Sequence, residues 1–442
     1  MASTIGRAGQ ATAPHDPPAL RARVMALLLL AYIFNFVDRS IVSILKIPIK
    51  AEFGLTDTQL GLLGGLAFAL LYTGLGIPVA WLADRSNRVR IVAVAMGVWS
   101  VMTAVCGAAT GFWTLFLARM GVGVGEAGGV APSYSLVTDY YPPAARARAL
   151  AFFSFGIPIG TAFGLFAGGY LASAYGWRTA FVVIGLAGVL VAPLLLWGVP
   201  EPPRGRYDVT RVELEPVPFG AAVARVIRIP SFWFLSLGAA CSSILGYGLA
   251  FWLPSFYEQQ YGLPLTEVGA FSALITLVGG IAGIWLGGWL GDRLGGARPG
   301  AYALVPALAF FLTPPLYLLA YSQTDLNIAA LILTATTALS LAWLGPVNSA
   351  VQHIVAPNMR AVTAALLLFV NNLIGLGLGP LLLGWMSDRF KLSMPANDAL
   401  RASLEWSLLF YVAAGVFLLL AAWRLRRDWW REPAGSPSVV AA

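Results

Sequence analysis

Long apolar runs alternate with short polar breaks along nearly the whole chain. A helix needs about 20 predominantly apolar residues to cross a bilayer, and twelve runs of that order can be marked: 22–45, 58–83, 89–109, 112–136, 147–172, 177–198, 230–256, 267–290, 300–321, 326–349, 360–386 and 404–425. The pattern predicts an all-α membrane protein. The longest polar and proline-rich break, PEPPRGRYDVTRVELEPVPFG (200–220), separates six runs from six and reads as a linker. The expected organisation is a tail (1–21), a six-helix bundle (22–198), a cytoplasmic linker (199–229), a second six-helix bundle (230–425) and a tail (426–442), with a cavity between the bundles.

Composition agrees: of 442 residues 58% are hydrophobic and only 11% charged, about half the usual charged share of a soluble domain. With the amino terminus inside, 20 of the 28 Lys and Arg fall in cytoplasmic segments, 6 outside and 2 within helices, which places both termini in the cytoplasm. The net charge of +8 then marks the inner leaflet, and nucleic acid is excluded as a partner because no basic stripe is interleaved with aromatics. The first run follows Arg7, Arg21 and Arg23 without a small-residue cleavage site, so no removable signal peptide is expected. Cys106 and Cys241 fall inside runs as small apolar residues, and His15 and His353 fall outside them, leaving no disulfide framework or metal site. None of the three lysines, at 46, 50 and 391, is followed by Ser or Thr, so the chain has no phosphate-loop motif and needs an energy source other than ATP.

One segment invites a different reading. RMGVGVGEAGG (119–129) contains G-x-G-x-x-G at Gly123, Gly125 and Gly128, but that fingerprint works only where a strand turns into a helix. Here FWTLFLA precedes it and VAPSYSLV follows it, inside the fourth run. Its glycines instead allow close helix packing, as do Gly156, Gly160, Gly164 and Gly168 in the fifth. Arg119 and Glu126 are harder to place, since a charge at the centre of a membrane helix costs roughly 2.5–3.5 kcal/mol even on gentle scales. They share one helix face about 10 Å apart, too far for an easy bridge, and must seek partners elsewhere. NFVDRS (35–40) in the first run offers Asp38 and Arg39, the only other full charges read as lying deep in the membrane. Two acids and two bases can neutralise one another as a structural cluster, but intramembrane ionisable groups are functional candidates by default. With no histidine in the membrane, Asp38 and Glu126 are the available proton carriers. The alternative is that both stay ionised and only lock conformations.

The two halves echo each other. WLADRSNRVR (81–90) leaves the second run and WLGDRLGGAR (289–298) leaves the eighth. Both resemble the G-x-x-x-D-R-x-G-x-R signature of the major facilitator superfamily. The second copy matches at Gly288, Asp292, Arg293 and Gly295, with Arg298 one residue beyond the pattern's final arginine; the first has Ala80 and Asn87 in place of the glycines. The resemblance implies rocker-type alternating access around a midplane site, with Asp84, Arg85, Asp292 and Arg293 latching the cytoplasmic gate. A third WxxDR, at 385–389, falls at an outer helix end and reads as coincidence.

NFVDRS and GVGEAGGVAPSYSLVTDYYPPAARARA (from Gly123) are similar to the Spinster-type lipid transporters. That resemblance implies a secondary transporter of lysophospholipids or sphingoid phosphates in the bacterial inner membrane, monomeric by family expectation and driven by the proton gradient without a bound cofactor. Asp38 and Glu126 would be proton-linked, while Arg39 and Arg119 would serve an anionic head group. Gly128 departs from the larger residue common there. The carboxyl half has no charge in the middle of its runs, and its polar residues are mainly Ser272, Thr276, Asn348, Asn371 and Asn372. Tyr247, Phe251 and Trp252, with Asn371, are its expected contributions to the site. The runner-up reading is a symporter of small organic anions such as hexuronates, which would need a more polar carboxyl half. A receptor or enzyme is the remote third, since no nucleophile has an adjacent base.

Overall fold

The computed structural model describes residues 17–83, 85–204, 206–207, 217–295 and 298–430. Among them, eleven helices are long and apolar enough to cross a membrane: α1 (Pro18–Phe53), α2 (Asp57–Ala83), α3 (Arg88–Cys106), α5 (Arg148–Tyr175), α6 (Trp177–Gly198), α7 (Pro230–Tyr261), α8 (Leu265–Gly295), α9 (Ala301–Tyr321), α10 (Leu326–His353), α11 (Val362–Phe390) and α12 (Ala396–Asp428). The fourth crossing is made in two pieces, α4a (Phe112–Glu126) and α4b (Val130–Tyr140). This departs from the single run expected over 112–136. At the break the backbone tightens to three-residue turns, with Gly128 N–H donating to Gly125 at 3.1 Å and Gly129 N–H to Glu126 at 3.0 Å. Poor helix formers permit the interruption, and it leaves Glu126 at the end of α4a.

The neighbour pattern repeats between halves. The pairs α1 with α5, α3 with α6, and α2 with α4a recur as α7 with α11, α9 with α12, and α8 with α10, the arrangement of two parallel repeats. Glycines set the close approaches. A Cβ on Gly160 or Gly164 would strike the α1 backbone at Ile33 or Val37, and one on Gly125 would strike Trp99 of α3. Gly128 also faces α3, where an added Cβ would come within 2.8 Å of Ala95. It packs helices, so its departure from a larger residue concerns packing here.

The bundles meet along α2 with α11, α5 with α8, and α1 with α7. Gly65 lies against Gly377 near mid-membrane, and Gly384 against Asp57 at the far end; on the other seam Gly280 lies against Pro158 and Gly169 against Leu265. These contacts run from the middle of the membrane to the face away from the chain ends. Twelve crossings return the carboxyl-terminal end to the face where α1 begins, and toward that face these seams end.

Candidate functional site

The charged residues of α1 and α4a meet in the interior of the first bundle. Asp38 and Arg119 are 1% exposed and Glu126 is 0% exposed. Glu126 Oε2 accepts from Arg39 Nε at 2.6 Å and from Asn35 Nδ2 at 2.8 Å. Arg39 also lies over the rings of Tyr72, Phe68 and Phe36, at 4.5, 4.9 and 5.1 Å. The expected mutual neutralisation is thus only half realised. Arg119 Nη1 donates at 3.1 Å to the backbone carbonyl of Asp38, not to its carboxylate, because seven residues of rise direct Arg119 to a different level of α1 from Glu126. Both carboxylate oxygens of Asp38, Oε1 of Glu126, Nη2 of Arg39 and Nε of Arg119 are buried without hydrogen-bond partners. Buried polar atoms are nearly always satisfied, and a partly satisfied buried network is costly. Such a network is able to exchange partners for a proton or an anionic group.

Not all the expected residues join it. Tyr247 of α7 lies near enough to Arg39 and Tyr72 to interact electrostatically with both. Phe251 and Trp252, by contrast, sit in the seam between bundles: Phe251 packs on Gly64, and the Trp252 indole donates to the Pro380 carbonyl at 2.8 Å. Asn371 is buried and accepts from Ser243 at 2.7 Å. On the face bearing the chain ends, Arg85 folds over Trp81 and Arg293 over Trp289, while Asp292 is exposed. Asp84 lies outside the described residues. A buried charge at that end is Arg88, which bonds Glu201 at 2.7 Å, Ser135 at 2.8 Å, the Pro202 carbonyl at 3.0 Å, and the buried Asp139.

At the opposite face lies a cluster that the sequence reading missed. Asp57, at the start of α2, accepts from Lys50 of α1 at 2.5 Å and, across the seam, from Lys391 at 2.5 Å and Ser387 at 2.7 Å. Asp388 of α11 accepts in return from the Asp57 and Thr58 amides and the Thr58 hydroxyl, at 3.1, 2.7 and 2.7 Å. It caps a helix of the other bundle. The third WxxDR thus lies at the face opposite the two gate-loop copies, its Asp388 capping α2 and its Arg389 exposed. Lys46, one residue beyond the first run marked from hydropathy, is 1% exposed. The capping box around Thr56 and Gln59 marked a helix start at Asp57, but its partner stands more than 300 residues away.

Comparison with known proteins agrees with this fold. The family model described as Major Facilitator Superfamily matches residues 28–380. The chain belongs to the major facilitator superfamily. An "MFS-type efflux pump" of Mycolicibacterium smegmatis is 33% identical, over 94% of this chain and 95% of that protein. "Protein spinster homolog 1" of Homo sapiens is 30% identical over 90% of this chain and 79% of its own. A crystal structure titled as a bacterial homolog to the human lysosomal transporter Spinster, inward-facing and unoccupied, superposes with a TM-score of 0.85 at 32% identity, covering 95% of this chain and 100% of that one. The chain is thus a Spinster-like major facilitator protein and a membrane transporter, not an enzyme.

Proposed function

We propose that this transporter moves amphiphiles with an anionic head, lysophospholipids or sphingoid phosphates, and couples their movement to protons by rocker-type alternating access. The observation that carries the reading is the buried Arg39–Glu126 pair beside the unpartnered carboxylate of Asp38. A proton on Glu126 and the guanidinium of Arg39 compete for the same carboxylate oxygen. Protonation frees Arg39 to bind phosphate or carboxylate, whose geometry the guanidinium matches, and departure of the head group returns Arg39 to Glu126 as the proton leaves. Asp38 is the second proton carrier and Arg119 the second cation for the head group. Tyr247 and the apolar carboxyl half receive the chain of the amphiphile. We place both termini in the cytoplasm by the positive-inside bias, so that the seam closes the outer side and the arrangement is inward-facing. Monomeric action in a bacterial inner membrane, powered by the proton gradient with no bound cofactor, completes the reading.

The test is proton movement, read by an entrapped pH dye, in proteoliposomes given a sphingoid phosphate or a lysophospholipid. A pH change that Glu126→Gln abolishes supports proton-coupled amphiphile transport. No response to lipids with a clear response to glucuronate moves the assignment to organic-anion symport. The mycobacterial efflux pump, matched along nearly its whole length, supports a second reading, efflux of a compound other than these lipids; it predicts transport with no response to either lipid.

A further inference from the structure

Lys46 takes no part in the central site. Its side chain is buried, its ammonium donates at 2.6 Å to the Ser43 carbonyl, and it lies 5.0 and 5.5 Å from the rings of Phe251 and Trp252. Among the described residues it has no carboxylate partner. It lines a cavity of about 540 Å³ at the face away from the chain ends, together with Lys50, Asp57, Trp252, Ser255, Glu258 and Gln259. Asp57 is already taken by Lys50 and Lys391. Glu258 of α7 is half-buried and likewise has no ion pair among the described residues, although it and Lys46 interact electrostatically. A buried amine on one bundle thus faces a half-buried carboxyl on the other across a space of ligand size, neither in an ion pair among the described residues, and a complementary ligand relieves the desolvation cost of charging them.

We propose that this outer cavity is a recognition subsite for a head group carrying both a phosphate and an amine, the phosphate on Lys46 and the ammonium on Glu258. The inference rests on the phosphate-bearing amphiphile reading above and narrows it to heads in which an amine accompanies the phosphate. The periodicity of α1 supports it. Lys46 and Lys50 stand seven and eleven residues beyond Arg39, both within about 20° of its face and about 10 and 16 Å along the axis. One stripe of α1 therefore carries a cation at the centre and cations in the outer cavity. In the closed arrangement the Phe251 and Trp252 side chains of α7 intervene; when the bundles part, the head passes along that stripe from Arg39 to Lys46.

The experiment is equilibrium binding of radiolabelled lysophosphatidylethanolamine and lysophosphatidylglycerol, matched in acyl chain, to the purified full-length protein. The wild type is expected to prefer the ethanolamine lipid. Glu258→Gln should weaken that lipid alone by roughly tenfold, the loss expected of one charge-assisted hydrogen bond, and bring the two lipids level. Lys46→Gln should weaken both, with Lys46→Arg restoring binding. Gln259→Lys, on the exposed rim, should repel the ethanolamine lipid and spare the other without touching the fold. Equal binding of both lipids by the wild type, with Glu258→Gln and Gln259→Lys silent, overturns the subsite while leaving amphiphile transport standing. Binding of neither lipid overturns both.

Discussion

Asp388 caps a helix that belongs to the other bundle at the face away from the chain ends, and its removal should open that face measurably. Asp388→Ala deletes three hydrogen bonds across the seam, to the Asp57 and Thr58 amides and the Thr58 hydroxyl. A hydrogen bond to a charged group contributes about 1.5–3 kcal/mol when well buried. The Asp388 side chain is 25% exposed, and water takes over part of its role once the seam parts, so about 0.7–1 kcal/mol per bond is the better figure. The sum, about 2–3 kcal/mol, shifts the closed-to-open equilibrium by about 30- to 150-fold. Lys391 still reaches Asp57, so the lock is weakened and not abolished. Spin labels at Thr110 and Thr324, exposed turns of the two bundles on this face, report the change by pulsed electron resonance, with Cys106 and Cys241 replaced. A second, longer distance should appear in Asp388→Ala and grow less in Asp388→Asn, which keeps an acceptor. A distribution for Asp388→Ala that superposes on its parent would refute the assignment of the lock.

Two further predictions concern stability, read as the midpoint of thermal unfolding in detergent. Arg88→Gln breaks the cluster with Asp139 and Glu201; since Glu201 is 25% exposed, the cost is about 2–3 kcal/mol, below the usual range for a buried pair, and an unchanged midpoint would mean that the cluster contributes nothing. Gly164→Leu forces α5 off α1, because even a Cβ would come within 2.9 Å of the Val37 carbonyl, and overpacking of this kind costs roughly 1–3 kcal/mol or more. Gly74→Leu, where an added Cβ meets nothing within 4 Å, should leave the midpoint in place.

Twelve crossings were legible because hydropathy is a local property: each run had only to be long and apolar. The pairing of Arg39 with Glu126 was nearly legible, since four intramembrane charges on two helices leave few ways to combine. Asp38 and Arg119 miss each other's charged groups because rise and rotation along two crossing helices decide which side chains are level, and sequence spacing gives this for one helix at a time. The outer lock was illegible for a different reason. Asp57 and Asp388 each look like an ordinary helix-end acid, and only the docking of α2 on α11 turns them into partners. Lys46 was misplaced because α1 continues to Phe53, well past the last residue of the run that hydropathy marks, and α7 covers the extension.

The placement of these charges also constrains how coupling can travel. Arg39 and Glu126 both belong to the first bundle, so their ion pair does not itself hold the two bundles together. The lock between bundles is instead at Asp57, Lys391 and Asp388, near the other end of α2. What joins the two is α2 itself: the guanidinium of Arg39 lies against Phe68 and Tyr72 on that helix, and the same helix begins at Asp57. It is not one rigid rod, because it breaks at Gly65, where the backbone leaves helical geometry. The segment from Asp57 to Gly64 docks on α11, while the segment from Leu66 onward meets Arg39. Under the coupling proposed above, a change of partner at Glu126 that lifts Arg39 from Tyr72 would act on the segment from Leu66 onward, and the Gly65 joint would set how much of that movement reaches the docked segment.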